Sequence, residues 1–163
     1  MSLLSLIRQK TMNITKADKT DLDTVKTITY TTIQEIYPHY YPAGAVEFFL
    51  HHHSDENIRK DIDSGRVYIC RNGAGNITGT VTVRDNEILR LFVLPEYQGN
   101  GCGRELLEYA ERKIAENYDE IVIDASLCAK GIYLKRGYKE TEYHTIKTDN
   151  GDLLCYDVMK KQI

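Results

Sequence analysis

The sequence lacks three features that would indicate particular partners or locations: an excess of positive charge, a long apolar run and an N-terminal leader pattern. Its formal net charge is −3 and its pI is about 6.0, so no basic field marks nucleic acid as the main partner. No apolar stretch approaches the ~20 residues that cross a bilayer. The N-terminal segment SLLSLI has no basic region before it and ends at Arg8, which does not fit a signal peptide. We therefore expect neither a nucleic-acid nor a membrane partner.

Cysteine is sparse and scattered. Cys70, Cys102, Cys128 and Cys155 lie far apart and form no C-x-x-C pair. This spacing favours reduced thiols over a disulfide framework or a zinc site. We therefore predict a cytoplasmic protein with no bound metal.

No internal repeat, low-complexity tract or Pro/Gly/Ser-rich linker divides the chain. Its 163 residues are enough for one sizeable core, and 42% hydrophobic with 28% charged residues is ordinary for a globular protein. We interpret residues 1–11 as an N-terminal extension, either native or partly a cloning remnant. Residues 12–163 are predicted to form a single domain.

The first part of the chain, after a short strand in MNITKAD, is predicted to be helical. Apolar residues recur at helical spacing from Asp21 to Ile36, and the prolines of YPHYYPAG end this helix. A second helical stretch runs from about Ala45 to Ser64. Ser54 is a candidate break within it, and Gly65 is a candidate C-cap.

The middle of the chain changes to the period of β-strands. RVYICR and NITGTVTV flank the turn cluster NGAG and predict a hairpin, and Glu87–Leu94 is apolar on both faces, as in a central strand. A helix follows, then the strand EIVIDA, a short helix ending at Gly137, and two strands around TDNGD. The order β-α-α-β-β-β-α-β-α-β-β predicts an α/β fold with a mixed, mostly antiparallel central sheet flanked by helices.

Three glycines at alternate positions, Gly99, Gly101 and Gly103, directly precede the helix that follows the central strand. The dinucleotide pattern G-x-G-x-x-G and the Walker pattern both fail, because Arg104 stands where each requires glycine. Main-chain N–H groups from Gln98 to Arg104 would instead surround a helix N-terminus, which attracts anions. Without Cβ atoms, the turn lets a diphosphate approach closely, and Arg104 can add a charge-assisted hydrogen bond. The pattern favours phosphate binding over a ligand-free turn.

VLPEYQGNGCGRELL resembles the acyl-CoA signature V-x-P-x-x-[QR]-G-x-G-x-[GA] of the GCN5-related N-acetyltransferases (GNAT). DASLCAKGIYLKRGY is similar to the family's later A-x-x-[FY]-Y-x-x-x-G-[FY] helix, and the element order agrees with the family fold from about Met12 to Met159. Two positions depart from the family pattern. Ile132 replaces the usual aromatic residue, which we interpret as a packing change, and Ser126 stands where many members carry asparagine.

The resemblance implies a GNAT-like acyl-CoA N-acyltransferase fold, with residues 12–163 as one N-acetyltransferase domain. It implies acetyl transfer from acetyl-CoA, the cosubstrate, to the primary amine of a small molecule, by direct attack in a ternary complex. The backbone of Leu91, Phe92 and Val93 would run beside the pantetheine arm like an added strand. Tyr133 would face the sulfur, and the remaining cofactor contacts would be Gln98, Gly99, Asn100, Gly101, Cys102, Gly103, Arg104 and Ser126.

The chemistry requires an acceptor that has lost its proton. An alkylammonium of pKa ~10.4 is a free amine in only about one molecule in 2,500 at pH 7, and binding the neutral form costs about 4.6 kcal/mol. Glu87, six residues before Val93, is the candidate catalytic base, or else a solvated strand-end carboxylate. Asp85 and His144 are lesser candidates.

On the leaving side, Tyr133 is the candidate catalytic residue that donates a hydrogen bond to the departing sulfur. Proton transfer from a tyrosine of pKa ~10 to a thiolate of pKa ~8.5 is uphill by roughly 2 kcal/mol, so Tyr133 need not carry the reaction. The competing interpretation is a core tyrosine.

Two side-chain clusters near the second helical stretch are open to more than one interpretation. Consecutive helix residues fan around the axis, so we interpret His51–His53 as a solvated or acceptor-lining face rather than a metal site. The aromatic cluster either walls the acceptor pocket or belongs to the core, and it comprises Tyr37, His39, Tyr40, Tyr41, Phe48 and Phe49.

Two other functions stay open at this point: a non-catalytic acyl-CoA-binding sensor or regulatory module, and a peptide or protein N-acetyltransferase. An open groove between the aromatic cluster and YHTIKTDNGD would favour the peptide acceptor. A covalent intermediate on Cys102 or Cys128 is not expected, because neither has a readable histidine partner. A homodimer also stays open.

Overall fold

A computed structural model describes residues 11–163, so the predicted N-terminal extension falls almost entirely outside the described residues. The predicted order of elements is confirmed. The strands and helices are, in chain order, β1 (Asn13–Lys16), α1 (Leu22–Ile36), α2 (Ala43–His52), α3 (Asp55–Asp63), β2 (Val67–Arg71), β3 (Ile77–Arg84), β4 (Glu87–Val93), α4 (Cys102–Ala115), β5 (Glu120–Ala125), α5 (Lys130–Lys135), β6 (Lys139–Lys147) and β7 (Leu153–Gln162). Across residues 11–163, no helix is both long and apolar enough to cross a membrane.

The predicted second helical stretch is two helices, and the local chemistry explains the break. Ser54 has an extended backbone, and its hydroxyl accepts a hydrogen bond from the backbone N–H of Asn57 at 3.4 Å, which caps the start of α3. Gly65 follows the end of α3 with a φ of +68°, a conformation that glycine adopts without strain. Both predicted features, the break at Ser54 and the cap at Gly65, are confirmed.

The seven strands of the described chain form one sheet in the order β1-β2-β3-β4-β5-β7-β6. All neighbours are antiparallel except β4 and β5, which pair only through Glu87 with Val122 and Ile88 with Ile123. Beyond these pairs the two parallel strands separate. The sheet is therefore split at its centre, and the split begins one residue after Ile88.

A β-bulge lies where the split begins. Val83 pairs with Ile88 and Thr82 pairs with Arg90, so Leu89 is an extra residue in β4. The bulge changes which face the strand presents: Ile88 packs in the core beneath α4, whereas Phe92 packs in the core beneath α1 and α2. In a regular strand, residues four apart would share one face.

A buried ion pair secures β4 directly after the bulge. Arg90 is 5% exposed and pairs with Asp61 of α3. Its guanidinium also donates to Nδ1 of His53 at 3.2 Å and to the hydroxyl of Thr82 at 3.3 Å. This network connects the bulged strand β4 to three other elements: α3, the end of α2, and β3. It thereby fixes the position of the β4 edge that borders the split.

His53 is expected to make stability depend on pH. Burial, and then the positive charge of Arg90, lowers the pKa of His53 to about 3. The unfolded chain takes up this proton near pH 6.5 and the folded protein does not, so the free energy of unfolding falls as the pH drops below 6.5. At pH 5 the loss is about 2 kcal/mol. Urea denaturation at pH 7 and pH 5 measures it.

Two histidine variants separate the effect of His53 on the pH dependence of stability from the effect of the carboxylates. His53→Gln is expected to show a smaller loss of stability between pH 7 and pH 5, because its side chain does not titrate. His51→Gln, on the exposed neighbour, is expected to retain the wild-type loss. An equal loss in all three proteins would contradict a buried, neutral His53.

Candidate active site

The separation of β4 and β5 leaves a cleft of about 1080 Å³ in the middle of the sheet. The edge of β4 from Leu89 to Val93 borders this cleft and, in the part of the chain that the structure describes, has no strand partner on that side. An unpaired strand edge presents N–H and C=O groups that bind an extended ligand as an added strand. The backbone predicted to hold a pantetheine arm therefore lies along an open edge.

The glycine turn lies at the open end of the split. Gly99 has a φ of +78° and Gly101 a φ of +90°, and Gly101 is the N-cap of α4. Among residues 11–163, no side chain caps this helix N-terminus, unlike that of α3. Counting contacts with the described residues, a Cβ on Gly103 would meet Val93 alone, at 3.7 Å, and a Cβ on Gly99 would meet nothing within 4 Å. The free N–H groups of α4 thus face open space that fits an anion.

Most of the predicted cofactor-binding residues border this cleft, but two do not. The side-chain amide of Asn100 donates to the carbonyl of Tyr97 at 3.3 Å. Cys102 is 1% exposed, with its thiol 3.2 Å from the hydroxyl of Thr78. The residues that line the cleft are Leu91, Phe92, Val93, Gln98, Gly99, Gly101, Gly103, Arg104 and Ser126.

Neither cysteine near the cleft is activated as a nucleophile. A hydrogen bond with Cys70, followed by burial, raises the pKa of the Cys102 thiol well above its usual range. Burial raises the pKa of Cys128 to about 11. Because the thiolate is the reactive form of cysteine, these raised pKa values keep both thiols in the less reactive, protonated form at neutral pH.

Tyr133 belongs to the core and also lines the cleft. It is 5% exposed, and its ring packs against Tyr138 with centroids 5.6 Å apart. Burial raises the pKa of the Tyr133 phenol above its usual range. Within residues 11–163, its hydroxyl makes no hydrogen bond. The hydroxyl is therefore protonated at neutral pH and available to donate to a ligand.

Glu87 lines the cleft at the closed end of the split, where β4 still pairs with β5. Its carboxylate is 42% exposed and forms an ion pair with Arg84 at 3.0 Å. The residue is thus a partly exposed carboxylate at the start of β4 that is already paired with an arginine, and both interpretations of it stay open.

The structure separates the two lesser candidates. Asp85 lies in the β3–β4 turn, 3.5 Å from the hydroxyl of Tyr118, and does not border the cleft. His144 lies on β6, where its Nε2 is 2.8 Å from the carboxylate of Glu142 and its ring stacks on Tyr156 with centroids 5.2 Å apart. Only His144 lies near the cleft wall, because Tyr156 lines the cleft.

Asp124 is a cleft carboxylate that sequence reasoning missed. It lies on β5 with an exposed side chain that borders the cleft. Partial burial, and then the negative charge of Glu87, raises the pKa of the Asp124 carboxyl. An aspartate inside an apolar strand is disfavoured, so its place in EIVIDA was the available signal.

The three consecutive histidines do not share one solvated face, because His53 points inward and accepts a hydrogen bond from Arg90. His51 and His52 are exposed and His53 is buried. His52 stacks on Phe48 with centroids 6.1 Å apart, and both line the cleft. Within the described part of the chain, no group of three or more His, Cys, Asp or Glu side chains could hold a metal ion.

The aromatic cluster is divided between core and wall. Tyr37 packs edge-on against Phe49 with centroids 4.8 Å apart, and Tyr41 is also buried. Phe48 contributes to the cleft wall, whereas Tyr40 is 53% exposed and His39 is exposed, both outside the cleft. Ile132 is 58% exposed at the cleft, so its departure from the family pattern is not a change in core packing.

The mixed sheet splits between two parallel central strands, and an uncapped, glycine-rich helix N-terminus lies at the open end of the split. This combination defines the acyl-CoA N-acyltransferase fold class. A family model described as the acetyltransferase (GNAT) domain matches residues 36–153, more than half of the chain. The chain therefore belongs to the GNAT family of acetyltransferases.

Solved structures share this fold across almost the whole chain. A GCN5-related N-acetyltransferase from Rhodopseudomonas palustris is 23% identical with a TM-score of 0.84, covering 94% of this chain and 96% of its own. PaiA N-acetyltransferase from Thermoplasma acidophilum, solved with coenzyme A, is 21% identical with a TM-score of 0.71, and the match covers 94% of this chain and 99% of its own. YncA from Salmonella typhimurium, a putative acetyltransferase solved with acetyl-CoA, is 19% identical with a TM-score of 0.70, and the match covers 93% of this chain and 94% of its own. No curated protein matches the sequence significantly.

Proposed function

We propose that this protein transfers the acetyl group of acetyl-CoA to the primary amine of a small molecule. The observation that carries the proposal is the unpaired edge of β4, which leads directly into the uncapped, glycine-rich N-terminus of α4. This arrangement suits a ligand with an extended amide-containing arm and a diphosphate. Membership of the GNAT acetyltransferase family supports it, as do related folds solved with coenzyme A and with acetyl-CoA.

In this proposal, the diphosphate lies against the main chain from Gln98 to Arg104. The Arg104 side chain is 67% exposed, and within residues 11–163 it forms one ion pair, a 3.9 Å contact with Glu105, so it can turn toward a phosphate. The pantetheine arm extends along Leu91–Val93, and Ser126 borders it from β5. The thioester then lies near the bulge at Leu89, where the two strands separate.

A contact between α2 and the β6–β7 turn supports a small acceptor. The backbone N–H of Gly44 donates to the carboxylate of Asp152 at 2.8 Å. A Cβ on Gly44 would lie 2.0 Å from the side chain of Asn150, so the two segments are in direct contact. This contact joins α2 to one end of YHTIKTDNGD, whereas an open groove between the aromatic cluster and that segment would have favoured a peptide.

The cysteine environments support direct attack, because neither Cys102 nor Cys128 carries an activated thiolate. The amine nitrogen bonds to the acyl carbon, and the carbon–sulfur bond breaks with its electron pair on sulfur. Tyr133 stabilises the developing thiolate by donating a hydrogen bond. The raised pKa of Tyr133 favours hydrogen bonding over complete proton transfer.

Two measurements on the full chain test the proposal. Titration calorimetry with coenzyme A is expected to show saturable binding, and thiol release from acetyl-CoA is expected to accelerate with a primary amine from a panel of alkylamines, aralkylamines and peptides. Folded protein that shows no saturation with coenzyme A contradicts the site. Binding without turnover on the whole panel favours a sensor, and turnover with peptides alone favours a peptide acetyltransferase. A single domain over residues 12–163, a cytoplasmic location and a homodimer stay predictions.

A further inference from the structure

Two carboxylates face the cleft, and they differ in what already engages them. Glu87 is held by Arg84 at 3.0 Å and lies where β4 and β5 are still paired. Asp124 follows Ile123, the last residue of β5 that pairs with β4, and it enters the open part of the split. Within residues 11–163, no hydrogen bond or ion pair involves the Asp124 side chain. The unengaged carboxylate is therefore the one beside the separating strands.

We infer that Asp124 is a catalytic residue that takes the proton from the acceptor ammonium, and that Glu87 acts on Asp124 through its charge. This inference rests on the proposed function. The thioester end of an extended ligand on β4 reaches the bulge at Leu89, across the split from Asp124. An ammonium approaching that carbon from the open face of β5 meets the Asp124 carboxylate before attack.

The surroundings of Asp124 suit a base. Four charged or titratable groups face it from other elements: Glu87 on β4, His52 on α2, and Glu142 and His144 on β6. The phenol of Tyr156 on β7 is also within electrostatic range. Partial burial and Glu87 raise the pKa of Asp124 more than the two histidines lower it. A carboxylate with a raised pKa accepts a proton from an ammonium more readily.

The proton and electron balance is complete with these groups. The ammonium N–H bond breaks and an O–H bond forms on Asp124, which leaves the nitrogen lone pair free. That pair bonds to the acyl carbon while the carbon–sulfur electron pair moves to sulfur. The nitrogen then loses its second proton to solvent water and the thiolate takes up one proton from solvent, giving an amide and a free thiol. Asp124 then returns its proton to solvent.

Asp124→Asn and Glu87→Gln form a matched pair of isosteric variants for the test. Asp124→Asn is expected to lower kcat/KM for an alkylamine by about 10²- to 10⁴-fold, the usual contribution of a positioned acid or base, and to remove the acidic limb of the pH profile. Glu87→Gln is expected to lower kcat/KM by less than about tenfold and to shift that limb to lower pH, because its charge raises the pKa of Asp124. Asp119→Asn, on an exposed residue just before β5, is expected to match the wild type.

An alkoxyamine acceptor separates proton removal from a structural effect. Its nitrogen is neutral at pH 7, so the defect of Asp124→Asn is expected to shrink to less than about tenfold, whereas a distorted site would impair both acceptors equally. Coenzyme A binding, measured by calorimetry, is expected to be unchanged in Asp124→Asn. Near-wild-type activity in Asp124→Asn, or a lost acidic limb in Glu87→Gln alone, overturns the inference and leaves the proposed function intact. A wild-type protein that binds coenzyme A but acetylates no amine overturns both.

Discussion

Gly103→Asp is expected to weaken coenzyme A binding by at least about 100-fold, or about 2.7 kcal/mol, without lowering the stability of the fold. Gly103 lies in the first turn of α4, where a negative charge stabilises a helix by about 0.3–1 kcal/mol. A Cβ there makes only an ordinary 3.7 Å contact with Val93. If the same N-terminus holds a diphosphate, the new carboxylate repels it at close range. Two like charges 4 Å apart near a protein surface interact by about 4 kcal/mol.

Gly131→Asp is the matched control for this variant. Gly131 also lies in the first turn of a helix, α5, and a Cβ there meets none of residues 11–163 within 4 Å. It does not border the cleft. Calorimetry with coenzyme A and thermal unfolding of both variants are expected to show lost binding in Gly103→Asp alone. A Gly103→Asp protein that binds coenzyme A as tightly as the wild type would mean that the diphosphate lies elsewhere.

The features that sequence reasoning predicted well are those fixed by neighbouring residues. The glycine turn, the cap at Gly65 and the break at Ser54 each depend on a few adjacent positions and on local backbone chemistry. The apolar run Glu87–Leu94 predicted a central strand, because such runs are typical of strands covered on both faces, and β4 spans Glu87–Val93. These signals placed the β4 edge and the α4 N-terminus beside each other without knowledge of the sheet order.

The features that sequence reasoning missed depend on contacts between distant segments. The bulge at Leu89 arises from pairing between β3 and β4 and leaves no characteristic residue type behind. Arg90 is paired with Asp61, 29 residues earlier, and periodicity does not connect two such positions. Asp124 enters the cleft only because β5 separates from β4 after two residue pairs, Glu87 with Val122 and Ile88 with Ile123. The arrangement of residues around the bulge and Asp124 could therefore not be predicted from the sequence alone.

Tyr133→Phe is expected to lower kcat by about 10- to 10³-fold while leaving stability and coenzyme A affinity close to the wild type. Within the described residues, the Tyr133 hydroxyl has no hydrogen-bond partner to lose, and phenylalanine keeps the ring contact with Tyr138. The variant therefore removes only the hydrogen bond proposed for the departing sulfur. Thiol release with saturating acetyl-CoA and amine measures kcat, and thermal unfolding measures stability.

Tyr138→Phe is expected to give the opposite result. The Tyr138 ring is as deeply buried as the Tyr133 ring. The Tyr138 hydroxyl, however, donates to the carboxylate of Glu111 at 3.1 Å, and Tyr138 does not line the cleft. Removing that hydrogen bond to a charged group costs about 1.5–3 kcal/mol of stability and is expected to change kcat by less than about twofold. An unchanged kcat in Tyr133→Phe would make Tyr133 a core residue only. Since the raised pKa of Tyr133 already excludes easy proton transfer, sulfur would then leave without a protein donor at this position.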